Sequence, residues 1–134
     1  YAKRIGVAEQ VIWTGWVATD DAWRYMKYAH IAVSIFPRGY LLDSASPTKV
    51  VEYMALGIPT VANDQPDQAH VLNESGAGIS VPMEVNEFVS ALMKIMDNKE
   101  LAASMSENGK KWVLAHRTYP KLAKIVKDSL FRFS

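Results

Sequence analysis

The most constraining feature of the sequence is the segment from Ser46 to Asp64, which predicts a loop, a short helix, a tight turn and a buried strand. Ser46 is a favourable N-cap residue, and Pro47 suits the first helical position, where its missing N–H costs no hydrogen bond. Gly57 then falls where a helix of about ten residues needs a left-handed residue at its end. Residues 58–62 form a short apolar run that is typical of a buried strand.

The start of this predicted helix is a candidate binding site for phosphate. The first backbone N–H groups of a helix have no partner within the helix and carry partial positive charge, which favours an anion. Glu52 lies within the helix among apolar residues, and a carboxylate in such a setting needs a partner. The residues alone leave two roles open for Glu52. It is either a structural carboxylate paired with a backbone group or a lysine, or a group that binds a ligand.

Hydrophobic periodicity along the rest of the chain predicts strands that alternate with helices. The predicted strands are residues 11–14, 31–36, 58–62 and 79–81. A later helix is predicted to end at Gly109, and a final helix is predicted to begin at Pro120. This alternation predicts an α/β fold with a Rossmann-like parallel sheet flanked by helices. In such sheets ligands bind at the carboxyl ends of the strands.

Composition limits the kinds of protein that this chain can be. Its 134 residues, 49% of them hydrophobic, are enough for one domain with its own core. The absence of cysteine excludes disulfides and thiolate metal sites, which fits a reducing compartment. No apolar run approaches the ~18 residues of a membrane span, and the first residues do not resemble a signal peptide. We therefore expect a cytoplasmic location. Because the chain starts abruptly without Met, we also expect it to be part of a longer protein.

The net charge of +1 hides an uneven distribution of charge. Residues 1–109 carry 8 basic and 13 acidic side chains, whereas residues 110–134 carry 7 basic side chains and one acidic one. The basic end is either a solvated helix face or a contact with anionic lipid or an acidic partner domain, so peripheral membrane contact is one prediction. Nucleic acid is not a predicted partner, because no aromatic platform accompanies the charge.

The segment that begins at Ser46 resembles the donor-binding signature of the retaining glycosyltransferases of family 4, which have the GT-B architecture. The family pattern runs as a Glu, seven residues, a second Glu, and then Ala-x-Gly-x-Pro-x-Val. The residues that match it, starting from the second Glu, are Glu52, Ala55, Gly57, Pro59 and Val61. The first Glu would fall at position 44, where this chain has Ser44.

The resemblance implies that the chain is part of the C-terminal half of a GT-B fold. Residues 1–118 would be a partial Rossmann-like domain that binds a nucleotide-sugar. Residues 119–134 would be a helix that crosses toward an N-terminal acceptor domain, which this chain lacks together with two or three early βα units. That helix should then be under-packed, with apolar side chains exposed at Ile125, Leu130, Phe131 or Phe133.

The function that the resemblance implies is the donor-binding part of a retaining glycosyltransferase. Such an enzyme transfers a sugar from a nucleoside diphosphate to an acceptor hydroxyl, with a UDP-, GDP- or ADP-sugar as substrate and with no cofactor or metal. This piece alone is expected to be inactive, because the groups that orient the acceptor would lie in the other domain. Two alternatives remain. They are a nucleotide-sugar-binding or regulatory module without turnover, which Ser44 makes worth testing, and a nucleotide-sugar epimerase of the same architecture.

The resemblance also implies roles for individual residues. Glu52 would bind the ribose hydroxyls of the donor, and Ser44 stands where the family has a sugar-contacting Glu. The backbone around Ser46, Pro47, Thr48 and Lys49 would hold the pyrophosphate, and Gly15 and Trp16 would border the base. Arg38, in the loop after the second predicted strand, is placed to reach a phosphate or the sugar, with simple solvation as the alternative. No residue of this chain is assigned a catalytic role, and no metal site is predicted.

Overall fold

The computed structural model describes residues 1–131, which contain a three-stranded parallel sheet with helices on both faces. The strands are β1 (Ala32–Ser34), β2 (Thr60–Asn63) and β3 (Gly78–Val81). The helices are α1 (Thr19–Met26), α2 (Thr48–Leu56), α3 (Pro66–Ser75), α4 (Val85–Met96), α5 (Lys99–His116) and α6 (Tyr119–Leu130). Short 3-10 turns lie at Ala8–Gln10 and Leu42–Ser44.

The central strand of the sheet is β2, which pairs in parallel with β1 on one side and β3 on the other. In the register, Val61 lies between Val33 and Ile79. This arrangement confirms the predicted α/β class with a Rossmann-like parallel sheet. The ends of the three strands at Ser34, Asn63 and Val81 define one edge of the sheet, called the carboxyl edge below.

The prediction of a fourth strand at residues 11–14 is wrong. The apolar side chains of this segment are exposed, with 88% of Ile12 and 90% of Trp13 accessible to solvent. A strand is stable only when its backbone groups pair with a neighbour, and no strand within residues 1–131 pairs with this segment. None of residues 1–30 is buried. The sheet formed by the described residues does not include this segment.

Two hydrophobic clusters cover the two faces of β2. Successive side chains of a strand point to opposite faces, so Val61 and Ala62 enter different clusters. Around Ala62 pack residues of α2, α3 and α5, namely Val50, Met54, Val71, Leu72 and Val113, together with Ala77. Around Val61 pack residues of α4 and α5, namely Ala91, Ile95 and Met105, together with Val81. The sheet is therefore held between two helical layers.

The prediction that a helix ends at Gly109 is also wrong, because α5 runs without interruption from Lys99 to His116. A Cβ atom at Gly109 would lie 3.1 Å from the carbonyl oxygen of Met54 and 3.2 Å from the Cβ of Ala77. The glycine allows α5 to pack closely on α2. This tertiary contact outweighs the cost of about 1 kcal/mol that glycine adds inside a helix.

Helix α6 has no buried residue, which confirms the predicted exposure of its apolar side chains. The exposed fractions of Ile125, Leu130 and Phe131 are 58%, 67% and 66%. Phe133 lies outside the described residues. The division of the chain at residue 118 and the crossing of the last helix toward a second domain stay predictions. Within residues 1–131, no helix combines the length and apolar character needed to cross a bilayer.

Candidate functional site

The start of α2 lies near the carboxyl edge of the sheet and has no side-chain cap. The N-cap position is occupied by Pro47, so the prediction of Ser46 as the N-cap and Pro47 as the first helical residue is wrong by one position. The hydroxyl of Ser46 instead donates a hydrogen bond of 2.8 Å to the Asp67 carboxylate. The end of α2 is as predicted, with Gly57 in the left-handed region at φ 73°. The first-turn amides of α2 are therefore open to an anion.

Glu52 lies on α2 with its side chain exposed. The prediction that Glu52 lies in an apolar setting is wrong, because α2 turns Val50 and Met54 toward the core and Glu52 away from it. Within residues 1–131, no ion pair holds Glu52. Burial of the phenol, with a smaller contribution from the charge of Glu52, raises the pKa of the neighbouring Tyr53. The carboxylate is thus available to a ligand.

Arg38 connects two loops at the carboxyl edge. Its Nε and Nη2 atoms lie 2.7 and 3.1 Å from the two carboxylate oxygens of Asp43. Its Nη1 atom donates to the backbone oxygen of Asp64 at 2.8 Å and lies 3.2 Å from the carboxylate of the same residue. These bonds raise the pKa of Arg38 and lower the pKa of Asp43, in both cases mainly through the hydrogen bond between them. Arg38 therefore reaches this edge with its charge already offset by two carboxylates.

Replacing Arg38 with Met is expected to raise the pKa of the Asp43 carboxyl group toward its ordinary value of about 3.9. In the folded protein Arg38 depresses this pKa, so the stabilisation by the pair is present above the ordinary value and is lost as the pH falls through the depressed one. A carbon-13 NMR titration of the carboxyl groups measures the change.

Glu107 provides an internal control for this titration, because Lys111 and not Arg38 lowers its pKa. The Glu107 signal should titrate identically in the wild type and in Arg38→Met. If the Asp43 signal also fails to move, the pair does not form in solution.

Gln65 holds the loop that precedes α2. Its side chain is fully buried, and its Nε2 atom donates to the backbone oxygens of Leu42 and Ala45 at 3.0 and 2.8 Å. Its Oε1 atom accepts from the backbone N–H of Gln68 at 3.0 Å and so caps the start of α3. A single amide group therefore fixes both the loop before α2 and the helix after β2.

A buried polar network lies beside Gln65 and joins the ends of β1 and β2. The side chain of Asn63 pairs with the backbone of Phe36, accepting from its N–H at 2.8 Å and donating to its oxygen at 2.9 Å. Gln68 donates to Asn63 Oδ1 at 3.2 Å and accepts from the hydroxyl of Ser34. Sequence analysis missed these residues. The available signal was the run of Asn, Asp and Gln side chains that directly follows a fully buried strand.

The remaining predicted site residues are divided between this edge and the exposed N-terminal region. Lys49 donates to the backbone oxygen of Ile35 at 3.1 Å, and the Ser44 hydroxyl donates to the oxygen of Leu41 at 2.8 Å, which closes a local turn. Thr48 is exposed in the first turn of α2.

Gly15 and Trp16 are not joined to this site. Both are exposed, and Gly15 is in the left-handed region at φ 64° with open space around it. Within residues 1–131 no side-chain hydrogen bond connects either residue to the carboxyl edge, and the carbonyl of Gly15 accepts only from the Thr14 hydroxyl next to it. The structure thus places Arg38 and Lys49 at the carboxyl edge and Glu52 one turn further along α2, and no side-chain hydrogen bond within residues 1–131 joins the predicted base contacts to them.

The chain matches known proteins in sequence over most of its length. It matches the family described as glycosyl transferases group 1 over residues 1–112. It is 27% identical over 132 residues to a protein of Mycobacterium tuberculosis, strains CDC 1551 and H37Rv, named GDP-mannose-dependent alpha-(1-6)-phosphatidylinositol monomannoside mannosyltransferase. This match covers 96% of the chain and 34% of the mannosyltransferase. The chain therefore spans about a third of the length of the curated relatives that it matches.

Solved structures with the same fold are also similar to this chain over about a third of their own length. Sucrose-phosphate synthase from Thermosynechococcus elongatus matches with a TM-score of 0.78 and 18% identity, over 99% of the chain and 33% of the synthase. WaaG, a glycosyltransferase involved in lipopolysaccharide biosynthesis, matches with a TM-score of 0.76 and 17% identity, over 92% of the chain and 32% of WaaG. At these identities the likeness establishes the fold.

Proposed function

The chain belongs to the group 1 glycosyl transferases and has the fold of the C-terminal half of the GT-B architecture, and we propose that it is the donor-binding part of a retaining glycosyltransferase. In the proposed reaction a sugar leaves a nucleoside diphosphate and is transferred to an acceptor hydroxyl. The contribution of the protein is to hold both substrates in position and to stabilise the negative charge of the leaving diphosphate.

The observation that carries this proposal is the position of Glu52 relative to the start of α2. Thr48 begins the helix without a side-chain cap, and Glu52 is exposed four residues later. Four helical residues advance about 6 Å along the axis, which is a distance that a ribose and its 5′-phosphates can bridge. A diphosphate at the first-turn amides therefore leaves the ribose hydroxyls within reach of the Glu52 carboxylate. Lys49, in the same turn, adds positive charge.

The donor that we propose to test first is GDP-mannose, because the mannosyltransferase relative is named as GDP-mannose-dependent. UDP- and ADP-sugars are the comparison donors. The proposed acceptor site lies in another domain of the full-length protein, against which the exposed apolar face of α6 would pack. The basic residues near α6 support peripheral membrane contact only as a further proposal.

Replacing Glu52 with Gln in the full-length protein is expected to weaken donor binding by about 1.5–3 kcal/mol, the range for hydrogen bonds to a charged group. Because Glu52 is exposed, the melting temperature should stay close to that of the wild type. Isothermal titration with the donor and thermal unfolding measure the two effects.

The matched control is Glu107→Gln, which removes an exposed carboxylate on α5 that pairs with Lys111. This variant should bind the donor like the wild type. Wild-type donor affinity in Glu52→Gln would instead exclude Glu52 from the binding site. A transfer assay on the full-length protein then separates the enzyme from a binding module, and product analysis separates it from an epimerase.

A further inference from the structure

Three side chains that lie far apart in the sequence meet at the start of α2. Arg117 follows α5, Asp67 lies in the first turn of α3, and Ser46 lies two residues before α2. Arg117 donates from Nη2 to Asp67 Oδ1 at 3.1 Å and from Nη1 to Ser46 Oγ at 3.3 Å. The Ser46 hydroxyl in turn donates to Asp67 Oδ2 at 2.8 Å. Both carboxylate oxygens of Asp67 are therefore engaged, and the proton of the Ser46 hydroxyl is directed to Asp67.

This cluster is partly sheltered from solvent. The side chains of Arg117 and Asp67 are 26% and 24% exposed, compared with 42% and 33% for Arg38 and Asp43. The Arg117 guanidinium also lies 5.7 Å from the centre of the Trp112 ring, which limits the positions that it can take. Charges in such a setting are screened less by salt than charges on an open surface.

The position of Asp67 is unfavourable for a nearby anion unless its charge is offset. The carboxylate is one hydrogen bond away from Ser46, and the open amides of α2 begin two residues later. The negative charge of Asp67 therefore repels a diphosphate that is bound at these amides. Arg117 is the basic residue that contacts Asp67 in the described part of the chain.

We infer that Arg117 is a positioning residue for the donor site: it neutralises Asp67 and holds Ser46, so that the start of α2 accepts a diphosphate. This inference rests on the proposed function. It assigns a role to a residue that follows the family-matched segment, which ends at residue 112. Arg117 acts through Asp67 and Ser46 and is not proposed to touch the donor.

The test is a set of variants in the full-length protein, titrated with GDP, UDP and ADP and with the matching nucleosides. Arg117→Met should weaken diphosphate binding about tenfold, since it exposes the ligand to one uncompensated carboxylate, and more strongly at low salt. Nucleoside binding should be unchanged, because a nucleoside carries no phosphate. Arg117→Lys should stay within about threefold of the wild type, since the charge is retained.

The double variant Asp67→Asn/Arg117→Met keeps the test informative if the single variant unfolds. Removing both charges should restore diphosphate affinity to within about twofold of the wild type, as expected for two coupled residues. Equal losses for diphosphate and nucleoside, or no rescue in the folded double variant, would overturn the inference in favour of a purely structural ion pair. Wild-type affinity in Arg117→Met would overturn it while leaving the proposed function intact. If the wild type binds none of the three diphosphates, the proposed function fails and the inference fails with it.

Discussion

Replacing Gly78 with Ala is expected to lower the free energy of unfolding by about 3 kcal/mol, the upper end of the usual cost of overpacking. Gly78 is the first residue of β3 and lies opposite Thr60 in the central strand. A Cβ atom at this position would overlap the carbonyl oxygen of Thr60 and would lie 2.9 Å from its carbonyl carbon. Leu72 Cδ2, at 3.0 Å, closes the remaining space. Because the obstacle is backbone, only separation of β2 from β3 can relieve the clash.

Chemical denaturation of the wild type and the variant measures this difference. The matched control is Gly109→Ala, which makes the same chemical change in α5, where the Cβ would lie 3.1 Å or more from its neighbours. There the gain of about 1 kcal/mol in helix propensity offsets the tight contact, so we expect a change within about 1 kcal/mol. If the Gly78→Ala variant were as stable as that control, β2 and β3 could move apart at this position at little cost in free energy.

The parts of the fold that were predicted correctly are those specified by neighbouring residues. The fully buried β2 overlaps the short apolar run at residues 58–62, and the left-handed turn after α2 has the glycine that such a turn requires. Apolar residues at helical spacing predict a helix over residues 84–97, and α4 occupies Val85–Met96. In each case the physical cause lies within a few residues of the element, so the sequence pattern is sufficient evidence for it.

The errors at Gly109 and Ser46 share a different cause, which is a partner that lies far away along the chain. In the sequence, Gly109 has the appearance of a helix end. The structure requires a glycine there because the backbone of Met54, which lies on another helix, packs against it. Ser46 looked like a cap because Asp67 and Arg117, which engage its hydroxyl, come later in the sequence. The segment 11–14 has the pattern of a strand, but a strand also needs a pairing neighbour. A single sequence contains no local signal for any of these partners.

The same limit applies to the candidate site. Glu52 and residues 46–49 were found through a contiguous motif, whereas the groups that shape the loop before them were not. Gln65 lies 23 residues after Leu42 and 20 residues after Ala45 in the sequence, and only the fold brings these groups together. The residues that were not predicted have side-chain amides that form hydrogen bonds with backbone groups. Such contacts produce no characteristic spacing of residues in the sequence.

Replacing Gln65 with Leu is expected to destabilise the protein by about 3 kcal/mol, since the carbonyl of Ala45 and the N–H of Gln68 lose their side-chain partner and each unsatisfied group costs about 1–3 kcal/mol. The carbonyl of Leu42 loses its bond to Gln65 but keeps the backbone N–H of Ala45 at 3.2 Å. Leucine has a similar volume, so the effect is due to hydrogen bonds and not to a cavity. Because the loop it holds leads directly into α2, the proposed binding of a donor should weaken as well. Denaturation and donor titration measure the two losses.

A second substitution at the same position separates the two halves of the amide. Gln65→Glu keeps the oxygen that accepts from Gln68 but points a carboxylate at two carbonyl oxygens. Burial and these oxygens disfavour the charged form, so the pKa of the introduced carboxyl should lie above its ordinary value of about 4.3. The destabilisation of this variant relative to the wild type should then be complete above the raised pKa. It should shrink as the pH falls from the raised pKa to about 4.3 and stay constant below that, because in this window the carboxyl is protonated in the folded state and can donate to one carbonyl. Gln65→Leu has no such group, so its deficit should not change with pH. A deficit in Gln65→Glu that is equally independent of pH would mean that the loop moves away from residue 65 and that the cap on α3 is the only contribution of Gln65.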